Sequence, residues 1–251
     1  MIVEIIYGKE FDAGSYKELA APENYSGHVE KLFPMIETFG YPWKTTVAPK
    51  PTVFCYTKGL KCRAILSCVK WFAGNSGNYF AQHLIFEKED DLIDAGPAWL
   101  IKRRGFYIET LTNWKERDRE KTEQYDWKPK ISQSDYCIGL ERKWELHVES
   151  KINDLVDTWN NEDEQKTKTQ FVLLFDPNTQ DDTYRLDLLY DMYAKINKSK
   201  RWAYQFCTFD SQRTKLPPKW DIVFVANSDK NTQDFYKKQK YNIIDLRGAE
   251  S

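Results

Sequence analysis

The chain has 251 residues, of which 41% are hydrophobic and 15% aromatic, so it is long enough to bury a sizeable core. Its formal net charge of -1 argues against a dedicated duplex-binding protein, because such proteins carry a basic excess, and nucleic acid is therefore not the expected partner. No stretch approaches about 18 consecutive apolar residues and the first residues do not resemble a signal peptide, so we expect a cytoplasmic protein without a membrane partner.

The amino half is predicted to be rich in antiparallel strands. Short turns at 58–59 and 74–78 join the last three of them, which favours an antiparallel meander. Apolar residues at helical spacing predict one helix at 28–39. β-Branched, apolar or alternating residues predict the strands at 2–7, 15–20 (a strand or a short turn), 52–57, 62–72 and 79–86.

The middle of the chain is irregular and strongly charged. Residues 98–101 are predicted to form a single helical turn, and the charged run 115–124 is typical of a solvated helix face or a mobile loop. His147 is expected in a mixed polar strand, KWELHVE. A short helix at 151–159 would then begin at Ser150 as its cap.

The carboxyl half follows a polar stretch at 160–169, the best linker candidate in the chain. We expect the two aromatic strands WAYQFCTF and WDIVFVA to form a hairpin, joined by a polar turn that ends at Pro217-Pro218. The predicted order is strand, helix, two strands, helix, strand, at 171–175, 183–196, 202–209, 220–226, 233–240 and 241–246.

These elements predict an α+β fold. An antiparallel strand-rich amino half, residues 1–160, would pack with a mixed α/β carboxyl half, residues 170–251, as one compact unit.

The sequence contains no recognisable catalytic or metal-binding pattern. It has no C-x-x-C pair, no phosphate-binding loop and an odd number of cysteines, which fits free thiols in a reducing compartment. We therefore predict no catalytic residues, no metal and no cofactor, and leave a small-molecule ligand open. His83 in YFAQHLIF is interpreted as a hydrogen-bonded strand histidine, since no partner is evident. The alternative is a hydrolase-like enzyme in which His83 acts with Cys68 or a carboxylate.

Two further groups of residues carry hypotheses. Asp221 and Asp245 lie within apolar strands, and Asp245 at a strand end is expected to cap a turn rather than to bind a cation. A tryptophan beside a basic cluster is typical of protein-binding surfaces, because Trp and Arg are common hot spots. The same cations could instead serve a nucleic-acid sensor, which is the third alternative. These candidate partner-binding residues are Trp99, Lys102, Arg103 and Arg104.

Short motifs in both halves resemble those of one bacterial family. In the amino half they are Gly14-Ser15-Tyr16, GNYFAQHLIF at 77–86 (which contains His83), and Gly96-Pro97 with Trp99-Leu100. In the carboxyl half they are Arg201-Trp202, Phe206 and Thr208, Leu216-Pro217-Pro218 with Trp220, and Ile243-Ile244-Asp245-Leu246. The chain resembles bacterial proteins that carry the type 2 amino-terminal domain of the GTPase-associated protein family, particularly planctomycete-type relatives.

The resemblance implies a role in protein interaction. Such a domain would be a non-enzymatic adaptor in an NTP-dependent conflict or phage-defence system, or a CRISPR-associated accessory protein. Its partners would be other proteins of that system: a GTPase, an effector or a regulator. The family offers no catalytic residues to carry over to this chain.

Overall fold

The computed structural model describes most of the carboxyl half and the strands of the amino half. The helix predicted at 28–39, the turn at 74–78, the charged run at 115–124 and the motif residues Gly14, Tyr16, Pro217 and Pro218 lie outside the described residues. The described ranges are 2–8, 17–20, 52–58, 64–71, 79–89, 92–104, 143–163, 168–210 and 220–247.

Nine strands and four helices are described. The strands are β1 (Ile2–Gly8), β2 (Lys17–Ala20), β3 (Val53–Thr57), β4 (Ala64–Trp71), β5 (Tyr79–Phe86), β6 (Phe171–Phe175), β7 (Phe206–Asp210), β8 (Ile222–Ala226) and β9 (Asn242–Asp245). The helices are α1 (Pro97–Trp99), which continues as a π-helical turn (Leu100–Arg104), α2 (Leu146–Asn161), α3 (Asp182–Lys195), a 3-10 turn (Lys198–Lys200) and α4 (Lys230–Lys238). No helix among the described residues is long and apolar enough to cross a membrane.

All nine strands belong to a single mixed sheet, in the order β2-β1-β5-β4-β3-β7-β8-β6-β9. The first five strands pair antiparallel, and so do β3 and β7. The last four strands, β7, β8, β6 and β9, pair parallel. The predicted α+β fold, with an antiparallel amino half and a mixed α/β carboxyl half, is confirmed.

The predicted meander of the amino half is confirmed. β3 pairs with β4 and β4 with β5, both antiparallel and in chain order. Alternate residues of a strand point to opposite faces of the sheet, so the register decides which side chains meet. It places Ser67 opposite His83, and Cys68 opposite Gln82.

The predicted hairpin between the two aromatic strands is wrong. β7 and β8 are neighbours, but they run parallel, with Phe206 opposite Ile222 and Cys207 opposite Val223. Every residue of both strands is buried, as is typical of parallel strands that are covered on both faces. A tight turn cannot join a parallel pair, and the connecting residues 211–219 lie outside the described residues.

The prediction for residues 144–159 is also wrong in part. α2 begins at Leu146 and its N-cap is Glu145, so the expected polar strand is the start of the helix and Ser150 lies within it. The helix starts earlier because its buried apolar face begins at Val148, one turn before Ile152. Trp144 fixes the entry to the helix, because its indole Nε1 donates to Asp191 Oδ2 of α3 at 2.6 Å.

The carboxyl half is held together by aromatic contacts between its layers. Trp159 of α2 stacks on Tyr204, with ring centroids 4.1 Å apart, and the Tyr204 hydroxyl donates to the Trp159 carbonyl at 2.8 Å. Tyr193 of α3 packs edge-on against Phe206 of β7. These contacts fix α2 and α3 against the sheet.

Candidate functional site

The parallel half of the sheet has a topological switch point between β6 and β8. β6 leads through α3 to β7 on one side, whereas β8 leads through α4 to β9 on the other. Ligands of open α/β sheets bind in the crevice outside the carboxyl ends of two such strands. The residues that follow β6 and β8 are therefore the first place to test for a site.

The chain after β6 closes on itself. The Asp176 amide donates to Gln180 Oε1 at 2.9 Å, and the Gln180 amide donates to the Asp176 carbonyl at 2.8 Å. The Asp176 carboxylate accepts from the Asn178 amide at 2.9 Å. Asp181 then caps α3 by accepting from the Tyr184 amide at 2.8 Å. These polar groups are occupied by the turn itself.

Arg185 lies beneath this turn and is almost fully buried. Its guanidinium stacks 4.3 Å from the centre of the Phe175 ring, Nη1 donates to the Gln180 carbonyl at 3.0 Å, and Nη2 pairs with Asp182. Burial lowers the pKa of Arg185, and the Asp182 carboxylate opposes that shift. Asp182 also accepts from the Thr52 amide at 2.8 Å, so the arginine supports a connection between the two halves of the chain.

The chain after β8 is closed in the same way. Asp229 caps α4 by accepting from the Thr232 amide and hydroxyl at 3.1 and 2.8 Å. The Gln233 side-chain amide donates to the carbonyls of Ala226 and Asn227 at 3.2 and 2.8 Å. The residues that would line the crevice are therefore engaged by the protein itself.

At the end of β9, Asp245 caps a turn, as the sequence predicted. Its Oδ1 accepts from the Arg247 amide at 3.0 Å, and both carboxylate oxygens accept from the Arg247 guanidinium. Hydrogen bonding to Arg247 lowers the pKa of Asp245. Within the described ranges, no group of three or more His, Cys, Asp or Glu side chains could hold a metal ion.

His83 is a buried, hydrogen-bonded strand histidine, the interpretation that the sequence favoured. Its Nδ1 lies 2.7 Å from Ser67 Oγ, and burial lowers its pKa to about 3. Cys68 lies on the opposite face of the sheet, and burial raises its pKa to about 12. The structure does not bring His83 and Cys68 together, because the register pairs His83 with Ser67.

The predicted aromatic and basic surface is not presented by Trp99 and Lys102. Trp99 is only 5% exposed, because α1 packs against α3 and turns this side chain into the core. Lys102 forms an ion pair with Asp187 of α3. The side chains of Arg103 and Arg104 lie outside the described part of the structure.

The described motif residues have structural roles. Trp202 donates from Nε1 to the Ile93 carbonyl at 2.7 Å and packs edge-on against Tyr56. Gly96 has a positive φ of 87° immediately before Pro97. Trp220 is fully buried at the entry to β8. The motifs around residues 96 and 202 thus connect the α1 region to the carboxyl half.

The outer face of α2 is a surface that the sequence analysis missed. We define the α2 outer face by Leu146, Glu149, Asn153, Asp154 and Asp157, which follow one another at helical spacing. Leu146 is 85% exposed. No other large hydrophobic side chain among the described residues is exposed. A helix predicted from residue 146 instead of 151 would include this leucine on its polar face. The surface could then have been predicted from the sequence.

The outer side of α4 has the opposite charge. We define the α4 basic patch by Lys230, Lys237, Lys238 and Lys240, all of them exposed. Lys237 pairs with Asp234 at 3.8 Å, a contact between two exposed groups that contributes little. The α4 basic patch is about as exposed as the α2 outer face, but it carries positive instead of negative charge.

Comparison with known proteins finds no matching family model, curated protein or solved structure. The functional argument therefore rests on the residues of this chain.

Proposed function

We propose that this protein is a non-enzymatic adaptor that binds another protein through the α2 outer face. The observation that carries the proposal is the exposed Leu146 at one end of a row of carboxylates. The resemblance to GTPase-associated proteins supports a role in a bacterial conflict or phage-defence system in the cytoplasm. A GTPase, an effector or a regulator of the same system is the proposed partner.

The composition of the α2 outer face suits a binding surface. Protein interfaces combine a desolvated apolar contact with a polar rim, and Leu146 and the neighbouring acids provide both. Asp154 and Asp157 lie roughly 12 and 16 Å along the helix axis from Leu146, at 1.5 Å per residue. A matching partner would offer an apolar pocket at one end of a basic groove.

Glu149 is partly neutralised within the chain, whereas the acids further along α2 point to solvent. Glu149 lies 3.7 Å from Lys195 Nζ of α3, and the same lysine donates to Asn153. Asp154 and Asp157 are exposed and have no ion pair described within the structure. These two carboxylates are therefore the ones that a basic partner would contact.

The environment of the titratable groups supports a non-enzymatic role. Burial holds His83 and Cys68 in their neutral forms, which weakens the imidazole as a base and slows any reaction of the thiol in the closed fold. The polar groups after β6 and β8 are engaged in turns and helix caps.

Affinity co-purification from the native host tests the proposal. The tagged chain would be compared with the variant Leu146→Asp/Asp154→Lys/Asp157→Lys and with a matched control on the other helix, Lys237→Glu/Lys238→Glu. We expect one stoichiometric partner with the wild type and the control, and at least a tenfold loss with the α2 variant. Lysine is a good helix former and both aspartates are exposed, so unfolding should not cause that loss, and circular dichroism would check it.

Two outcomes would contradict the proposal. A wild-type chain that co-purifies with no stoichiometric partner would remove the adaptor function. A partner that is retained by the α2 variant but lost by the α4 control would show that the α2 outer face is not the binding surface.

A further inference from the structure

The two halves of the sheet meet at a short seam between β3 and β7. Only two residue pairs form this ladder, Cys55 with Cys207 and Tyr56 with Phe206. Beside them, the Phe54 amide donates to the Thr208 hydroxyl at 2.8 Å, so a side chain takes the place of a further ladder bond. The seam is the point at which the antiparallel strands join the parallel ones.

Two thiols that are not joined by a disulfide face each other in this seam. Cys55 and Cys207 are directly opposite, and their Sγ atoms lie 3.4 Å apart. The Cys207 thiol also contacts the Phe209 carbonyl, at 3.0 Å. A disulfide requires a sulfur–sulfur distance of about 2.05 Å and cross-strand Cβ atoms at roughly 3.5–4.5 Å. The paired positions on adjacent strands therefore need only a small side-chain movement to form one.

The third described thiol cannot join this pair. Cys68 is opposite Phe54 in the β3–β4 register, whereas Cys55 is opposite Ser67. Neighbouring residues of a strand point to opposite faces, so Cys68 lies on the other face of the sheet from Cys55. It provides an internal control of similar burial.

We propose that Cys55 and Cys207 form a reversible disulfide under peroxide stress, which locks the two halves of the sheet together. A disulfide that forms in a reducing compartment is usually transient, with a catalytic or a redox-sensing role. The proposal concerns a different part of the molecule from the α2 outer face and does not depend on the proposed function.

The reaction balances with hydrogen peroxide as the oxidant. One thiol loses its proton and the thiolate attacks a peroxide oxygen, so that an S–O bond forms, the O–O bond breaks and the departing hydroxide takes up that proton to leave as water. The second thiol also loses its proton, and its thiolate attacks that sulfur, so that the S–S bond forms, the S–O bond breaks and the hydroxide leaves as a second water with this proton. Two thiols are oxidised and one peroxide is reduced. A dithiol reverses the reaction by exchange.

Burial of both thiols sets the rate of this reaction. Each side chain is at most 1% exposed, so the oxidant must enter during local opening of the seam. The reaction is therefore expected to be slower than oxidation of an exposed thiol. The disulfide would close a long loop between residues 55 and 207 and oppose that opening.

Mass spectrometry of the full-length chain tests the proposal. The variant Cys62→Ser/Cys137→Ser, which leaves the three described thiols, would be treated with hydrogen peroxide, alkylated and digested. We expect a mass loss of about 2 Da, a cross-linked peptide that joins Cys55 to Cys207, and recovery of both thiols with dithiothreitol. Adding Cys68→Ser should leave the cross-link in place, whereas adding Cys55→Ser should abolish it.

Three outcomes would overturn the inference. They are alkylation of Cys55 and Cys207 after peroxide treatment at the untreated level, separate oxidation of each thiol to a sulfinic acid, and a cross-link to Cys68. The stabilising effect of the disulfide is tested by thermal unfolding. The oxidised chain should melt several degrees higher than the reduced chain. An unchanged melting temperature of a fully cross-linked sample would disprove it.

Discussion

Gly96 and Arg201 are packed so closely that a Cβ atom at residue 96 would lie 2.9 Å from the Arg201 Cβ. The φ of 87° and ψ of 176° at Gly96 belong to a region that is essentially restricted to glycine. Arg201 is held in place by donating to the carbonyls of Ile196, Asp94 and Ala194 at 3.1 to 3.2 Å. This contact joins the α1 region to the carboxyl half of the chain.

Gly96→Ala is expected to destabilise the protein strongly. The backbone conformation alone costs about 1–3 kcal/mol for a residue with a Cβ, and the contact is with a Cβ rather than with a movable side-chain end. Urea unfolding would measure the change in the free energy of unfolding. Ser228→Ala, at an exposed turn position, is the control and should change it by less than about 0.5 kcal/mol. Equal stability of the two variants would contradict the structural role of Gly96.

Local patterns predicted most of the elements, and non-local pairing decided what they could not. Strand β5 was predicted with the observed limits, and α3 to within one residue. The sequence does not predict the parallel pairing of β7 and β8. Both strands would have the same apolar runs whether a tight turn or a crossover joined them. Pairing depends on which strands lie between others in the sheet, and periodicity contains no such information.

The same limit applies to the candidate site. Whether His83 meets Ser67 or Cys68 depends on the β4–β5 register, and a shift of one residue would exchange the two. Predicting the α2 outer face requires the correct first residue of α2. That start is fixed in part by a single buried hydrogen bond of Trp144, which the sequence does not reveal. Asp245 was correctly expected to cap a turn, because an aspartate at a strand end usually acts within its own local backbone.

His83 is expected to make the protein less stable in acid. Its pKa is about 3 in the folded chain and about 6.5 when unfolded, so the unfolded chain binds the proton more readily between these values. The contribution of neutral His83 to the free energy of unfolding is therefore fully present above pH 6.5. It falls by about 1.4 kcal/mol per pH unit as the pH decreases toward 3. Denaturant unfolding of the wild type and His83→Gln at pH 7.5 and 4.5 would isolate this effect.

In His83→Gln the side chain no longer titrates. The variant should lose stability at pH 7.5 through altered packing, and its deficit should shrink by about 2.7 kcal/mol at pH 4.5. A deficit that is the same at both pH values would mean that His83 does not carry the predicted effect.

Asp221 is expected to have the opposite pH dependence. Burial raises its pKa to about 6, although the Gln205 amide, which donates to Oδ2 at 2.6 Å, and Lys168 lower it. The folded chain then binds the proton more readily than the unfolded chain, so the stability contribution is present below pH 4 and is lost as the pH rises through 6. Asp221→Asn should raise the melting temperature at pH 7.5, with a gain in stability of about 2–3 kcal/mol that disappears near pH 4.

Asp245→Asn is the matched control for Asp221→Asn. Hydrogen bonding to Arg247 lowers the pKa of Asp245, so its charge stabilises the folded chain and its removal should lower the melting temperature at pH 7.5. A higher melting temperature for Asp221→Asn and a lower one for Asp245→Asn would confirm that the charge destabilises the fold at Asp221 and stabilises it at Asp245. A loss of stability in both variants at pH 7.5 would refute the expected cost of the Asp221 charge.

The tyrosine hydroxyls of the α4 region should differ in their contributions to stability. Tyr236 is fully buried and its hydroxyl donates to the Asp210 carboxylate of β7, whereas the Tyr241 hydroxyl donates to the Trp220 carbonyl at 2.8 Å in a half-buried setting. A hydrogen bond to a charged group contributes about 1.5–3 kcal/mol and a neutral one about 0.5–1.5 kcal/mol. Tyr236→Phe should therefore reduce the free energy of unfolding about twice as much as Tyr241→Phe. Urea titrations of both variants at pH 7.5 would measure the two losses, and a larger loss for Tyr241→Phe would show that Asp210 finds its main stabilisation from another group.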